Sequence, residues 1–164
     1  MDRVAFVTGG TGFLGSWLLS SLVRRRTYRK IYVLARRDSR YSAEARVYNV
    51  LRSHATNSVV HEARRIVEVI NGDIRQPYLG LSSHTINLFV REVTDIFHAA
   101  ALADFNVPLS LIRSPNVIGT KNLLNLVQSV FQKENRQLRV HHISTLAVAG
   151  NTKGWFREDQ FDCK

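Results

Sequence analysis

The chain has 164 residues, a hydrophobic fraction of 45% and a formal net charge of +10. This length suits one domain with a substantial core. A single cysteine, Cys163, excludes a disulfide framework and a multi-cysteine zinc site. The sequence contains no run of about 18 apolar residues, so no membrane-spanning helix is predicted. The excess of 23 basic over 13 acidic residues favours phosphate-bearing or acidic partners, although a solubilising basic surface also explains it.

Short apolar runs alternate with longer amphipathic stretches along the chain, which is an α/β pattern. Strands are predicted at residues 4–7, 31–35, 66–70, 95–98 and 139–144, and helices at residues 13–23, 42–51, 82–90 and about 116–131. Right-handed crossovers in this order give a Rossmann-type, doubly wound parallel sheet with helices on both faces. We expect residues 1–150 to form this domain and residues 151–164, where the pattern dissolves, to be an interrupted loop.

The strongest local feature is a glycine-rich turn between the first strand and the first helix, with the sequence Thr8-Gly9-Gly10-Thr11-Gly12-Phe13-Leu14-Gly15. Glycines there permit a tight turn and let backbone N–H groups approach a pyrophosphate, whose charge the helix N-terminus favours. A glycine triplet alone is weak evidence. In this strand–turn–helix context it predicts nucleotide binding.

The end of the second strand indicates which dinucleotide is bound. NAD-binding proteins place an acidic residue there for the ribose hydroxyls, whereas NADP-binding proteins use arginine for the 2′-phosphate. Here Arg36 and Arg37 follow Ala35, with Arg40 and Arg46 close behind, so the sequence favours NADP over NAD. The neighbouring Asp38 weakens this argument, and a solvated loop is the alternative.

Five motifs in the same order resemble those of the extended short-chain dehydrogenase/reductases. They are Thr8 to Gly15, Asp73-Ile74, His98 to Ala101, Asn116 to Thr120 and Ser144-Thr145. Longer stretches, including residues 72–81, 113–120 and 143–150, are similar to the thioester reductase domains of carboxylic acid reductases, aminoadipate reductases and nonribosomal peptide or polyketide synthetases, and more distantly to fatty acyl-CoA reductases. The resemblance covers essentially the whole chain.

The resemblance implies NADPH-dependent release of an acyl group from a phosphopantetheine thioester, on a carrier protein or CoA, as an aldehyde or alcohol. Thr145 would be catalytic, donating a hydrogen bond to the thioester carbonyl oxygen. The implied cofactor-binding residues are Gly9, Thr11, Gly12, Phe13, Leu14 and Gly15 in the glycine turn, Arg36 and Arg46 at the 2′-phosphate, Asp73 and Ile74 at the adenine, Ala99, Ala100 and Ala101 beneath the cofactor, and Asn116 and Ser144. No metal ligand is expected.

Several of these residues also fit structural roles. Asp73 is placed to cap a turn, Asn116 to N-cap the helix that follows Pro115, and Ser144 and Thr145 to be ordinary strand residues. Their position at the carboxyl edge of the sheet, where ligands bind in open α/β folds, favours function for the last two. The histidines at 98, 141 and 142 are interpreted as packing or surface residues, and the tryptophan at 17 as core.

The family's general acid is a tyrosine four residues before a lysine, which protonates the oxygen left by hydride addition. The five tyrosines of this chain are at positions 28, 32, 41, 48 and 78, and none is followed by that lysine. The resemblance therefore implies a fold truncated after about the fifth strand, namely the N-terminal, cofactor-binding part of a cytoplasmic reductase that is inactive alone.

Other functions remain open at this stage. An extended dehydrogenase or epimerase of another substrate class is one alternative, and a noncatalytic dinucleotide-binding module is another. Nucleic-acid binding is not expected, because the arginines are scattered and are not interleaved with surface aromatic residues.

Overall fold

The computed structural model describes residues 3–104 and 106–159. The strands are β1 (Val4–Thr8), β2 (Lys30–Ala35), β3 (Val67–Asn71), β4 (Asp95–His98) and β5 (Arg139–His142). The α-helices are α1 (Phe13–Arg25), α2 (Ala43–His54), α3 (Asn57–Ile66), α4 (Ser83–Glu92), α5 (Leu109–Arg113) and α6 (Thr120–Glu134). Ser114–Gly119 form a π-helical turn, and Pro77–Gly80 and Leu146–Ala149 form short 3₁₀ helices.

The strands form one parallel sheet in the order β3-β2-β1-β4-β5. This confirms the Rossmann-type α/β prediction. Strand order reverses at β1, which pairs with β2 on one side and with β4 on the other. Because all strands are parallel, their carboxyl ends meet at one edge, and the crevice beside β1 is where such sheets bind ligands.

Alternate residues of β1 pack into two separate hydrophobic cores, one on each face of the sheet, because successive side chains of a strand point to opposite faces. Ala5 and Val7 pack with α1, α2 and α3, whereas Val4 and Phe6 pack with α4 and α6. The Phe6 ring meets the edge of Phe89 at a centroid distance of 4.9 Å. The sheet is thus covered on both faces, which leaves its carboxyl edge as the place for a ligand.

The structure differs from the prediction in several elements, and α5 is one that was not predicted. Residues 57–66 form α3, which was not predicted, although Val59, Val60 and Ala63 have helical spacing and are buried. The predicted third strand therefore begins one residue too early, at the last residue of α3. The fifth strand ends at His142 instead of 144, and the α-helix predicted from about 116 starts at Thr120, after the π-helical turn.

The core assignment of Trp17 is also wrong. Its side chain is 47% exposed, and its ring packs at a tilt against His54 of α2 with a centroid distance of 4.3 Å. The buried face of α1 contains Leu19, Leu22 and Val23, and Trp17 does not belong to it. In the described residues no helix has the length and apolarity needed to cross a membrane.

The loop predicted at 151–164 is described only up to 159, where it consists of turns and irregular segments. Residues 160–164, including Cys163, lie outside the described residues. The boundary at 150 stays a prediction.

Candidate functional site

A cavity of about 470 Å³ opens at the carboxyl edge of the sheet, beside β1. A second cavity of about 560 Å³ adjoins it, and Arg36, Arg46, Gly72, Asp73 and Arg75 line both. The remaining residues of the first cavity are Gly9, Thr11, Gly12, Leu34, Ala35, Ile74, Ala99, Ala100, Ala101, Leu102, Leu111 and Pro115. The structure thus brings together the glycine turn, the strand-end arginines, Asp73-Ile74 and the three alanines.

The glycine turn leaves room for an anion at the start of α1. Gly12 is the N-cap, so no side chain caps the helix, and the first turn contains no acidic residue. The backbone N–H groups that every helix leaves unpaired at its start are therefore open to a ligand at this wall of the cavity. This geometry fits the pyrophosphate of a dinucleotide.

Gly9 allows the turn to lie directly against the loop that follows β4. Its φ is +75°, and a Cβ at this position would lie 2.5 Å from the carbonyl carbon and oxygen of Ala99. A Cβ at Gly15 would collide with the carbonyl oxygen of Gly9. Only glycine at both positions permits this close packing, which sets the depth of the cavity floor.

A chain of hydrogen bonds connects the alanine wall of the cavity to α6 through a buried histidine. The backbone N–H of Ala100 donates to Thr8 Oγ1 at 3.3 Å, which lies 2.6 Å from His98 Nδ1. On the other side of the ring, His98 Nε2 lies 3.0 Å from Thr120 Oγ1, which donates to the carbonyl oxygen of Asn116 at 2.7 Å.

These contacts fix the tautomer of His98. The single hydroxyl hydrogen of Thr120 is given to Asn116, so Nε2 must carry the hydrogen that it donates to Thr120. Nδ1 is then bare and accepts the hydroxyl hydrogen of Thr8. Burial, and secondarily the charge of His142, lower the pKa of His98 to about 4, so the neutral ring persists near pH 7. The interpretation of His98 as a packing residue agrees with this role.

Asn116 holds the loop after the alanines in place. Its Oδ1 accepts from the N–H of Leu102 at 2.8 Å, and its Nδ2 donates to the carbonyl oxygen of the same residue at 3.1 Å. The N-cap interpretation of Asn116 is wrong, because the residue lies within the π-helical turn. It does not line the cavity but supports Leu102, which does.

Ile74 is positioned by α6. It is buried, its carbonyl oxygen accepts from Asn122 Nδ2 at 2.9 Å, and its side chain fills the space above Gly119, where a Cβ would lie 2.7 Å from Ile74 Cδ1. The aliphatic face that the resemblance assigns to the adenine is therefore fixed against a helix.

Three arginines and two aspartates cluster where the two cavities join. Arg75 Nη2 lies 2.6 Å from Asp73 Oδ2, Arg36 Nη1 lies 3.6 Å from the same oxygen, and Arg46 Nε lies 3.2 Å from an oxygen of Asp38. Hydrogen bonds from Arg75 lower the pKa of Asp73, and backbone N–H groups of residues 40 and 41 lower that of Asp38. Both carboxylates therefore stay ionised near neutral pH.

Arg75 was not among the predicted site residues. The sequence carried a weak signal for it, since a side chain two residues after Asp73 in a tight turn lies close to that carboxylate. Asp73 Oδ1 also accepts from the Arg75 N–H at 3.0 Å, so the turn-capping interpretation of Asp73 holds alongside its place on the cavity wall.

The other predicted residues do not line the cavity. Phe13 and Leu14 are exposed in the first turn of α1, and Gly15 is buried beneath them. Ser144 and Thr145 are exposed on the turn after β5. Thr145 Oγ1 accepts from the N–H of Ala147 at 3.3 Å, which leaves its hydroxyl hydrogen for another acceptor.

Comparisons with known proteins agree with this site. A family model described as male sterility protein, an NAD-binding family, matches residues 7–164. A linear gramicidin synthase of Brevibacillus parabrevis is 34% identical over 152 residues, which are 93% of this chain and 3% of that protein. Fatty acyl-CoA reductase 1 of Mus musculus is 33% identical over 151 residues, covering 90% of this chain and 28% of that protein.

A solved structure is similar over nearly the whole chain. The crystal structure of the terminal R domain from the myxalamid PKS-NRPS biosynthetic pathway superposes with a TM-score of 0.79 at 34% identity. The match covers 97% of this chain and 39% of that one. This chain therefore spans less than half the length of each of the three proteins.

Proposed function

Because the chain belongs to the male sterility family of NAD-binding proteins, we propose that it is the NADP(H)-binding portion of a reductase acting on acyl thioesters. A nicotinamide dinucleotide as cofactor and a reductase family follow from the family and its relatives. The choice of NADP(H), the thioester substrate on a carrier protein or CoA, and a cytoplasmic location are the proposed parts.

One observation carries the cofactor proposal. Arg36 and Arg46 meet at the end of β2, beside the cavity that the glycine turn opens. An NAD site would place an acidic residue there to accept from the ribose hydroxyls. The acid that follows β2 in the sequence, Asp38, is already paired with Arg46 and accepts from two backbone N–H groups, so it is not presented to a ribose.

The chain's own residues would bind and orient the cofactor. The first turn of α1 would hold the pyrophosphate, Asp73 and Ile74 the adenine, and the alanine loop, fixed by Asn116 and the Thr8–His98–Thr120 contacts, would let the cofactor lie close to the sheet. When bound, NADPH would supply a hydride to the thioester carbonyl carbon, and the C–S bond would break to give an aldehyde and a thiolate. Thr145 would donate its free hydroxyl hydrogen to the thioester carbonyl oxygen.

Titration of the intrinsic tryptophan fluorescence with NADPH and with NADH tests the cofactor proposal. We expect saturable binding of both, with NADPH at least about tenfold tighter, because charge-assisted hydrogen bonds to the 2′-phosphate favour it. Arg36→Gln should remove most of that preference. Arg91→Gln, a matched loss of charge on the exposed side of α4 and outside both cavities, should leave it unchanged. Equal affinities, or tighter NADH, would contradict the proposal.

The thioester part predicts binding without turnover by these 164 residues, since they contain no tyrosine followed four residues later by lysine. Incubation with NADPH and an acyl-CoA or acyl-carrier thioester should give no substrate-dependent oxidation of NADPH. Turnover that depends on the thioester would overturn the assignment of the proton donor to a Tyr-Lys pair.

A further inference from the structure

We propose that Arg75 is a third guanidinium of the 2′-phosphate site and is therefore a determinant of cofactor choice. Arg36 and Arg46 are the residues that the resemblance assigns to this phosphate. Arg75 lies in the similar stretch 72–81, but the resemblance gives it no role at the cofactor. The proposal rests on NADP(H) as the cofactor.

The first argument is the shared carboxylate oxygen. Arg75 and Arg36 both approach Asp73 Oδ2, at 2.6 Å and 3.6 Å, although one arginine follows β2 and the other follows β3. One guanidinium is hydrogen-bonded to this oxygen and the other is ion-paired with it, and both residues line the wall common to the two cavities. An anion that contacts Arg36 in this place is also within reach of Arg75.

The second argument is the unused donors of Arg75. Its Nε and Nη2 bond Asp73, whereas Nη1 has no hydrogen-bond partner within residues 3–104 and 106–159. The guanidinium is planar and its five N–H groups form a rigid fork, so one edge can hold the carboxylate while the other binds a phosphate. The side chain is 45% exposed, which leaves that second edge accessible.

The third argument is the charge balance of the second cavity. Arg36, Arg37, Arg46 and Arg75 contribute four positive charges, and Asp38 and Asp73 two negative ones, which leaves a net charge of +2. A 2′-phosphate near pH 7 carries a charge close to −2. Arg75 is needed for this match. In this arrangement the two aspartates hold three arginines in place before the ligand arrives, which reduces the ordering cost of binding.

A different role for Arg75 makes a different prediction. If the residue only orients Asp73 toward the adenine, its loss weakens binding of every adenine nucleotide to the same extent. If it contacts the 2′-phosphate, its loss weakens only nucleotides that carry that phosphate. Two ligands that differ by this one group separate the two roles.

The test is calorimetric titration of the 164-residue chain with adenosine 2′,5′-bisphosphate and with 5′-AMP. Arg75→Gln should weaken binding of the bisphosphate about tenfold and that of 5′-AMP less than about twofold. Arg91→Gln should change neither, and Arg75→Lys, which keeps the charge and loses the fork, should weaken binding of the bisphosphate by an intermediate factor. The melting temperature of each variant serves as a folding check, and Arg75→Lys carries the test if Arg75→Gln does not fold.

The outcomes separate this inference from the proposed function. An unmodified chain that prefers the bisphosphate, with a preference that Arg75→Gln abolishes, supports both. A preference that Arg75→Gln lowers about tenfold without abolishing it also supports both. A preference that Arg75→Gln leaves unchanged, or an equal loss on both ligands, overturns the role of Arg75 alone. An unmodified chain without any preference overturns NADP(H) as the cofactor and this inference with it.

Discussion

Two arginine–aspartate clusters lie at opposite edges of the same sheet, and they differ in burial. At the amino edge, Asp95 is fully buried and Arg3 reaches it at 2.6 Å. At the carboxyl edge, Asp73 and Arg75 are also 2.6 Å apart, yet both side chains remain partly exposed. The distance is the same in the two pairs, so only the surroundings distinguish them.

The surroundings indicate what each pair does. Asp95 also accepts from Thr94 and lies near Arg139 and His141, so it ties β1, β4 and β5 together at their starts. Burial opposes its ionisation, but the hydrogen bonds from Arg3 and Thr94 outweigh this and lower its pKa. The Asp73 cluster has donors left over and a cavity in front of it. One cluster is closed and structural, and the other is open to a ligand.

The largest expected effect comes from Asp95→Asn. A buried carboxylate that holds several cations is lost, and we expect the free energy of unfolding to fall by about 3 kcal/mol. Asp73→Asn, in the exposed pair, should lower it by less than about 1 kcal/mol. Urea denaturation at pH 7, followed by circular dichroism, compares the two variants. Equal losses would remove the distinction between a closed and an open cluster.

A second large effect concerns His98, which is buried at the carboxyl edge but has no carboxylate partner among the described residues. Its pKa falls from 6.5 to about 4 on folding. In the unfolded chain this histidine is therefore protonated below pH 6.5, whereas in the folded chain it stays neutral down to about pH 4. The free energy of unfolding falls across this window by roughly 3 kcal/mol on account of this residue.

His98→Asn isolates that contribution. The variant should be less stable at pH 7, since it cannot bridge Thr8 and Thr120. Between pH 6.5 and 4, however, the slope of its unfolding free energy against pH should be smaller, by an amount equivalent to the uptake of up to about one proton on unfolding. His84→Asn, which removes an exposed histidine of α4, is the matched control. Identical pH slopes for His98→Asn and the unmodified chain would show that His98 protonates freely in the folded state.

A smaller effect is expected inside the closed cluster. Arg3 Nη2 donates to Tyr28 Oη at 3.0 Å, and Tyr28 is buried. Tyr28→Phe keeps the ring beneath the guanidinium and removes this acceptor, which should lower the free energy of unfolding by about 1 kcal/mol. Tyr78→Phe, at a half-exposed ring, should have no measurable effect in the same urea titration. A comparable loss in both would mean that the Tyr28 hydroxyl contributes nothing specific.

The sequence predicted the fold well because strand residues buried on both faces form continuous apolar runs, as in β1 and β2. It missed α3, since its two neighbouring valines resemble a strand and its arginines resemble a loop. The helical spacing of its buried residues becomes decisive only when the helix packs on α1. Strand β5 was predicted two residues too long because β-formers continue past the point where its pairing with β4 ends.

The candidate site was predicted from motifs. A motif indicates where in the chain a site residue lies, but not which groups its side chain contacts. The motifs indicated that Arg36, Arg46 and Asp73 belong to one site, and the structure brings them together at the cavity. They gave only a weak signal that Asp73 binds Arg75, which follows it by two residues in one turn. They gave no indication that the side chain of Asn116 binds the backbone of Leu102, because these residues are 14 positions apart and meet only in the folded chain.

The smallest expected effect is a pH dependence confined to the open cluster. The second pKa of a ribose phosphate is about 6, so lowering the pH from 7.5 to 5.5 turns the 2′-phosphate from a dianion into a monoanion. The pKa of Asp73 is held below its usual value by Arg75, so this carboxylate does not titrate in this range.

The ratio of the affinities for adenosine 2′,5′-bisphosphate and 5′-AMP cancels the contribution of the shared 5′-phosphate. It should fall about threefold in calorimetric titrations at the two pH values, and less in Arg75→Gln. A constant ratio would mean that binding does not depend on the second charge of the 2′-phosphate. That result would contradict a site of pre-oriented guanidinium groups with a net charge of +2.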